Sequence, residues 1–150
     1  MPIAAARPTE GDSLPIIDIT PLRTGEDAEG VAAALHAASQ GLGFIYVKGH
    51  GIPAAAISAA RDAAFRFFRS ADSDKGAVTV TSKHRGWLGH GGAKMDDDAP
   101  ADLKESFIWG IEDAHGHTPE DHALRGANQW PGHVEGFRDA AMAYFWSAHD

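Results

Sequence analysis

The stretch Gly43-Phe44-Ile45-Tyr46-Val47-Lys48-Gly49-His50-Gly51-Ile52-Pro53 constrains the chain more than any other. Its apolar run, Phe44 to Val47, is too short for a helix and has glycines close on both sides, so it reads as a buried strand with a tight glycine exit turn. Pro53 then suits the first turn of a helix, where the N–H it lacks would have no intrahelical acceptor. Ile57, Ala60, Ala64, Phe65 and Phe68 follow at helical spacing and predict an apolar stripe on a helix running to about Arg69. Strand, turn and helix in that order commit the chain to mixed secondary structure.

Upstream, Leu14-Pro15-Ile16-Ile17-Asp18-Ile19 reads as a first strand with proline at its edge, whose ladder partner must come from elsewhere. Thr24-Gly25-Glu26-Asp27 has a capping-box pattern, and Val31, Ala34, Leu35 and Ala38 recur at helical spacing up to Gly41, expected as a left-handed cap. Residues 1–13 read as a flexible terminus without the basic end and long apolar run of a secretory signal. Downstream, residues 70–104 are mostly polar and glycine-containing, which predicts a surface loop with short local structure. Glu105 to Ile111 alternates so that Phe107, Trp109 and Ile111 share one strand face, and residues 112–130 return to loop. From Pro131, the stripe Val134, Phe137, Ala141, Tyr144, Phe145 and Ala148 predicts a helix that reaches the last residue without Gly, Asn or Pro to end it. Three strands cannot close a barrel and leave edges that need cover, so the remaining half of the fold is expected beyond residue 150.

At 150 residues with 43% hydrophobic content the chain has the size of one domain with a real core. Thirteen Lys and Arg against 21 Asp and Glu give a net charge of −8, which removes the electrostatic basis for binding nucleic acid or an anionic membrane. Cysteine is absent, which excludes disulfides, thiolate metal sites and cysteine nucleophiles and fits a reducing cytoplasm. Nowhere is there an apolar run of about eighteen residues, the length a membrane-spanning helix needs, so a soluble protein is expected.

Nine histidines raise the question of a metal. A non-haem iron site needs His-x-Asp or His-x-Glu plus a distant His, leaving open positions on the metal. His133-Val134-Glu135 has the first form, but it opens a helical pattern instead of leaving a strand, and only His149 follows it; it reads as a helix-surface His beside a Glu. His115-Gly116-His117 lacks a third ligand, and consecutive Asp96, Asp97 and Asp98 lack the alternating spacing of a calcium loop. Gly86-Trp87-Leu88-Gly89-His90-Gly91-Gly92-Ala93-Lys94 is no phosphate loop, because Gly and Lys are not adjacent and no Ser or Thr follows the lysine. No Gly-x-Ser-x-Gly elbow supports a serine hydrolase. Lys83-His84-Arg85-Gly86-Trp87 sets two fixed positive charges beside a large ring, which suits an anionic or planar substrate, although a buried Trp87 anchor in a surface loop is the plainer reading. Phe107 and Trp109 likewise occupy positions more often used as core than as pocket wall.

In order, Leu14-Pro15-Ile16-Ile17-Asp18, Gly43 to Pro53, Phe67-Phe68, Lys75, Arg85-Gly86-Trp87, Lys104-Glu105-Ser106-Phe107 and Asn128-Gln129-Trp130-Pro131 resemble the isopenicillin N synthase-like oxygenases. The resemblance implies an α+β fold in which this region forms the N-terminal helical and strand flank of a distorted double-stranded β-helix (jelly-roll) core. It implies a structural turn for His50. It also implies iron(II) held by two His and one carboxylate, with 2-oxoglutarate anchored by an Arg and a Ser, all beyond Asp150. No residue of this chain is thereby a metal ligand or a catalytic residue. Family members generally couple loss of carbon dioxide from 2-oxoglutarate to oxidation of a small molecule by oxygen, although isopenicillin N synthase itself dispenses with 2-oxoglutarate. Position by position, Arg85 and Trp87 fall in the family's Arg-Gly-aromatic segment, and Phe107 and Trp109 on the strand lining the cavity mouth. These four are the substrate-side candidates. Trp87 stands where Tyr is common, so the substrate does not carry over from a characterised relative.

The reading is therefore residues 14–150 of an oxygenase that hydroxylates, desaturates or cyclises a small molecule, inactive without its iron-binding part. The alternative is a noncatalytic stand-alone interaction domain derived from such an enzyme, with an uncovered apolar face that must find a partner.

Overall fold

The computed structural model describes residues 14–41, 43–93, 100, 102–112, 124 and 126–149. The flexible terminus expected over 1–13, the acidic Asp96 to Asp98 run and the His115/His117 pair lie outside the described residues. The chain divides into two compact units, Met1–Ile52 and Pro53–Asp150. No helix among the described residues is long and apolar enough to cross a membrane.

In the first unit, β1 (Ile16–Asp18) pairs in parallel with β2 (Tyr46–Lys48), Ile16 opposite Tyr46 and Asp18 opposite Lys48. The ladder partner missing from the first run is thus the glycine-bounded run. Parallel pairing needs a crossover, and two helices supply it. The first, α1 (Thr20–Thr24), was not expected: it has proline in its first turn and ends at Gly25, whose φ of 77° gives the left-handed cap. The second, α2 (Ala28–Gln40), starts at Asp27, whose carboxylate accepts from the Gly30 N–H at 2.8 Å. Two expectations are corrected here. Thr24 ends α1 and does not cap α2, and Gly41 has φ −84° and is not left-handed. The run Phe44 to Val47, expected to be buried, is also largely exposed, with Phe44 at 71% and Tyr46 at 61%, because among the described residues β2 has a neighbour on one edge only. In the exit turn Gly49 and Gly51 have φ near +71° and +75°, and His50 Nδ1 accepts the Ile52 N–H at 3.0 Å. The imidazole closes the turn, as a structural role requires.

The second unit is built on α3 (Ala54–Phe68) and α5 (Phe137–His149), which pack together. Pro53 is the N-cap of α3, one place before the first turn. The buried face of α3 is Ala63 and Phe67, whereas Ile57 and Phe65 of the expected stripe are 37% and 41% exposed. Alanines on several sides of this helix make the apolar face ambiguous in sequence, and the side that meets α5 decides it. Phe65 instead lies under the guanidiniums of Arg61 and Arg69, 5.3 and 5.0 Å from its ring centre. Pro131 to Gly136 are turns, not helix, so α5 starts six residues later than the stripe predicted, although Val134, Phe137 and Ala141 are all buried.

Residues 70–104, expected as surface loop, contain α4 (Asp72–Gly76) and β3 (Gly86–Leu88). β3 pairs antiparallel with β4 (Ser106–Ile108), Trp87 opposite Phe107, and Trp87 also exchanges backbone hydrogen bonds with Val78 and Val80 at 2.7 Å. Gly86 has φ 117°, and a Cβ there would strike the carbonyl oxygen of Val78. The described strands therefore number four, in two two-stranded sheets, and β4 is shorter than the expected run from 105 to 111. Ala63, Phe67, Val78, Val134, Phe137 and Ala141 form the core, with Phe68, Trp87, Phe107, Trp109 and Trp130 packed around it.

Candidate functional site

The β3–β4 pair carries or adjoins all four substrate-side candidates. Opposed strand residues place their side chains on the same face, so Trp87 and Phe107 lie side by side. Phe107 is set in an aromatic cluster, its ring 5.0 Å from Phe67, 4.9 Å from Phe137 and 6.3 Å from both Trp109 and Trp130. Its contacts are those of a core residue. Trp87 is half-buried, with its indole N–H on Glu105 at 2.7 Å. Arg85 leaves a tight turn in which His84 has φ 56°, and its Nη1 donates to the carbonyls of His84 at 3.0 Å and Lys83 at 3.4 Å. The guanidinium rests against Gly110, where a Cβ would come within 2.7 Å of Nη2. Arg85 Nε and Trp109 Nε1 are buried donors without a hydrogen-bond partner among the described residues.

Two carboxylates hold this pair of strands in place, and neither was singled out from the residues alone. Glu105 Oε2 accepts from Lys75 Nζ at 2.8 Å and from Trp87 Nε1 at 2.7 Å. Lys75 is only 3% exposed; Asp72 faces it at 3.0 Å, and its Nζ lies 5.2 Å from the Trp87 ring centre. Burial pushes the Glu105 carboxyl up, but the Lys75 and Trp87 hydrogen bonds and the lysine charge outweigh it and leave the group below its ordinary value. The hydrogen bond to Glu105 in turn raises Lys75, against the opposing effect of burial. At the other end of the same segment, Glu112 accepts from Trp130 Nε1 at 2.7 Å and pairs with Arg138, whose hydrogen bond is the main cause of its lowered pKa. Between the two, Asn128 donates to the Gly110 carbonyl at 2.8 Å and accepts its N–H at 3.0 Å. Lys75, Glu105 and the Asn128 to Pro131 run all lay in segments carrying the resemblance. Which side chains meet was not legible there, because Lys75 and Glu105 are 30 residues apart.

Iron does not fit the side chains described. His133 lies in the turns before α5, with Nε2 3.0 Å from Ser70 Oγ and its ring 5.9 Å from Phe67. Among the described residues no three His, Asp or Glu side chains converge as a metal site. No step through iron is therefore assigned to these residues.

A family model described as "non-haem dioxygenase in morphine synthesis N-terminal" matches residues 14–133. Homoarginine-6-hydroxylase of Arabidopsis thaliana is 32% identical over 146 residues, covering 87% of this chain and 40% of that protein. Validamycin A dioxygenase of Streptomyces hygroscopicus subsp. limoneus is 31% identical over 144 residues, covering 88% of this chain and 38% of that protein. The crystal structure of a full-length Neurospora crassa protein in complex with alpha-KG superposes with a TM-score of 0.68 at 26% identity, over 93% of this chain and 44% of that one. The chain thus spans about two fifths of the length of the two curated relatives. With this match over most of its length, the chain belongs to the non-haem iron(II)/2-oxoglutarate-dependent dioxygenase family and corresponds to the family's N-terminal region.

Proposed function

We propose that the complete protein is a cytoplasmic oxygenase that uses iron(II), 2-oxoglutarate and oxygen to hydroxylate, desaturate or cyclise a small organic molecule. Residues 14–150 form its flank and substrate mouth, and the iron-binding core follows Asp150. The observation that carries this reading is the likeness to the Neurospora crassa protein over 93% of the chain, in a structure that holds alpha-KG. Bound iron with 2-oxoglutarate would supply the oxidising chemistry, while this chain's residues bind and orient the molecule to be oxidised.

Within the mouth, Arg85 takes an anionic or acceptor group, and Trp87, Phe107 and Trp109 shape the apolar wall. Arg85 supports its part by a permanent, planar charge on a side chain that is only partly buried and is held by the His84 and Lys83 carbonyls at 3.0 and 3.4 Å. Phe107 contributes from behind, by backing Trp109 and Trp130.

The complete protein, kept free of oxygen, should develop the visible charge-transfer band of iron(II) chelated by 2-oxoglutarate; absence of that band would overturn the reading. Homoarginine and validamycin A, named for the relatives, and thymine, held in a second crystal structure of the Neurospora crassa protein, are the first compounds to screen for succinate release. Once the substrate is found, Arg85→Ala should raise its KM by about 10- to 100-fold, the loss of one charge-assisted hydrogen bond, with 2-oxoglutarate affinity unchanged. An unchanged KM would remove Arg85 from the mouth.

A further inference from the structure

Of the two indoles assigned to the mouth, one is tethered by a described residue and the other is not. Trp109 Nε1 has no acceptor among the described residues. Trp87 Nε1 sits 2.7 Å from Glu105 Oε2, and Lys75 Nζ reaches the same oxygen at 2.8 Å while lying 5.2 Å from the centre of the Trp87 ring. A single carboxylate oxygen thus fixes the edge of the ring and the cation beside it. Turning the indole about its side-chain bonds would strand a partly buried N–H and pull the ring from the ammonium, so one rotamer is selected. The acceptor is itself held, because Lys75 is anchored on α4 by Asp72 at 3.0 Å.

We infer that Glu105 is the positioning residue of the mouth: it sets the orientation of the Trp87 ring, by the reach of its side chain and not by its charge. The consequence for substrate rests on Trp87 being a mouth wall, as proposed above; the hold on the ring does not. One acceptor oxygen receives both donors, so an amide of the same length can replace the carboxylate, whereas the shorter aspartate cannot reach both groups.

The test follows the indole N–H signals of the complete protein labelled with nitrogen-15, Trp87 being assigned by the signal lost in Trp87→Phe. In Glu105→Gln the Trp87 signal should keep its protection from solvent exchange. In Glu105→Asp and Glu105→Ala it should move and exchange about ten-fold faster, the effect of one lost buried hydrogen bond. The double variant Lys75→Met/Glu105→Gln leaves no unpaired charge at this pair, keeps the acceptor, and should retain the signal, which guards against a variant that fails to fold. Retention in Asp with loss in Gln would overturn the inference by making charge the determinant, and an unmoved signal in Ala would overturn it outright. A released ring in Glu105→Asp, together with an unaltered substrate KM in Trp87→Phe, would uphold the positioning and remove Trp87 from the mouth.

Discussion

Lys75 shows how a charge can be kept inside this small core. At 3% exposure its ammonium is sustained by Glu105 at 2.8 Å, Asp72 at 3.0 Å and the face of Trp87. Removing one partner of a buried pair strands the other, so Lys75→Met should destabilise the protein by about 3–5 kcal/mol in urea unfolding. Adding Glu105→Gln should recover most of that loss, since replacing the whole pair costs less than breaking it. The pH dependence follows from the two shifts. Glu105 is lowered in the folded state, so its contribution is complete above the unfolded value of about 4.3 and is lost as pH falls through the lower folded value. Lys75 is raised, so its contribution is complete below about 10.4 and is lost as pH rises through the higher folded value. Denaturation midpoints should therefore form a plateau across neutral pH, and Glu105→Gln should flatten the acid limb. None of this was visible in the residues alone: Lys75 fell in a polar stretch, and nothing in its neighbours announces a partner 30 positions on.

Among the elements, α3 and α5 carry the core of the second unit. Phe67 is wholly buried and touches the rings of Phe107 and Phe137 at 5.0 and 5.6 Å, so Phe67→Ala should cost about 3–5 kcal/mol, read from the denaturant midpoint. β3 depends on a different constraint. Gly86 combines φ 117° with a carbonyl where a side chain would begin, so Gly86→Ala should cost at least about 1–3 kcal/mol and disturb the Trp87–Phe107 register. The strand around Phe107 and the three long helices α2, α3 and α5 were legible as period-two and period-3.6 patterns. β3 was not, because Gly86-Trp87-Leu88 is too short to show a period and is framed by residues that read as loop. Its strand character comes from the backbone groups of Val78, Val80 and β4 that it pairs with.

At the scale of the whole molecule the two units differ in how much they bury. Among the described residues of Met1–Ile52 only Ile17 and Val31 are buried hydrophobics, whereas Pro53–Asp150 holds the connected cluster around Phe67. Hydrogen exchange of this chain should accordingly be faster in α2, β1 and β2 than in α3, and equal protection would show that the first unit is stabilised by more than these contacts. Sequence by itself determined the mixed α/β content, the tight glycine turn after the second strand, the ranges of the main helices to within about six residues and the family through an ordered series of motifs. These are local properties: backbone sterics at glycine and proline, and periodicity along one segment. Tertiary structure alone decided that the first two runs pair in parallel, that α3 turns Ala63 and Phe67 inward, that residues 72–88 contain a helix and a strand, and that Glu105 joins Lys75 to Trp87. Each of those depends on which distant groups come within hydrogen-bonding or packing distance, and that is set by the register of paired strands and the face on which helices meet, not by any one segment.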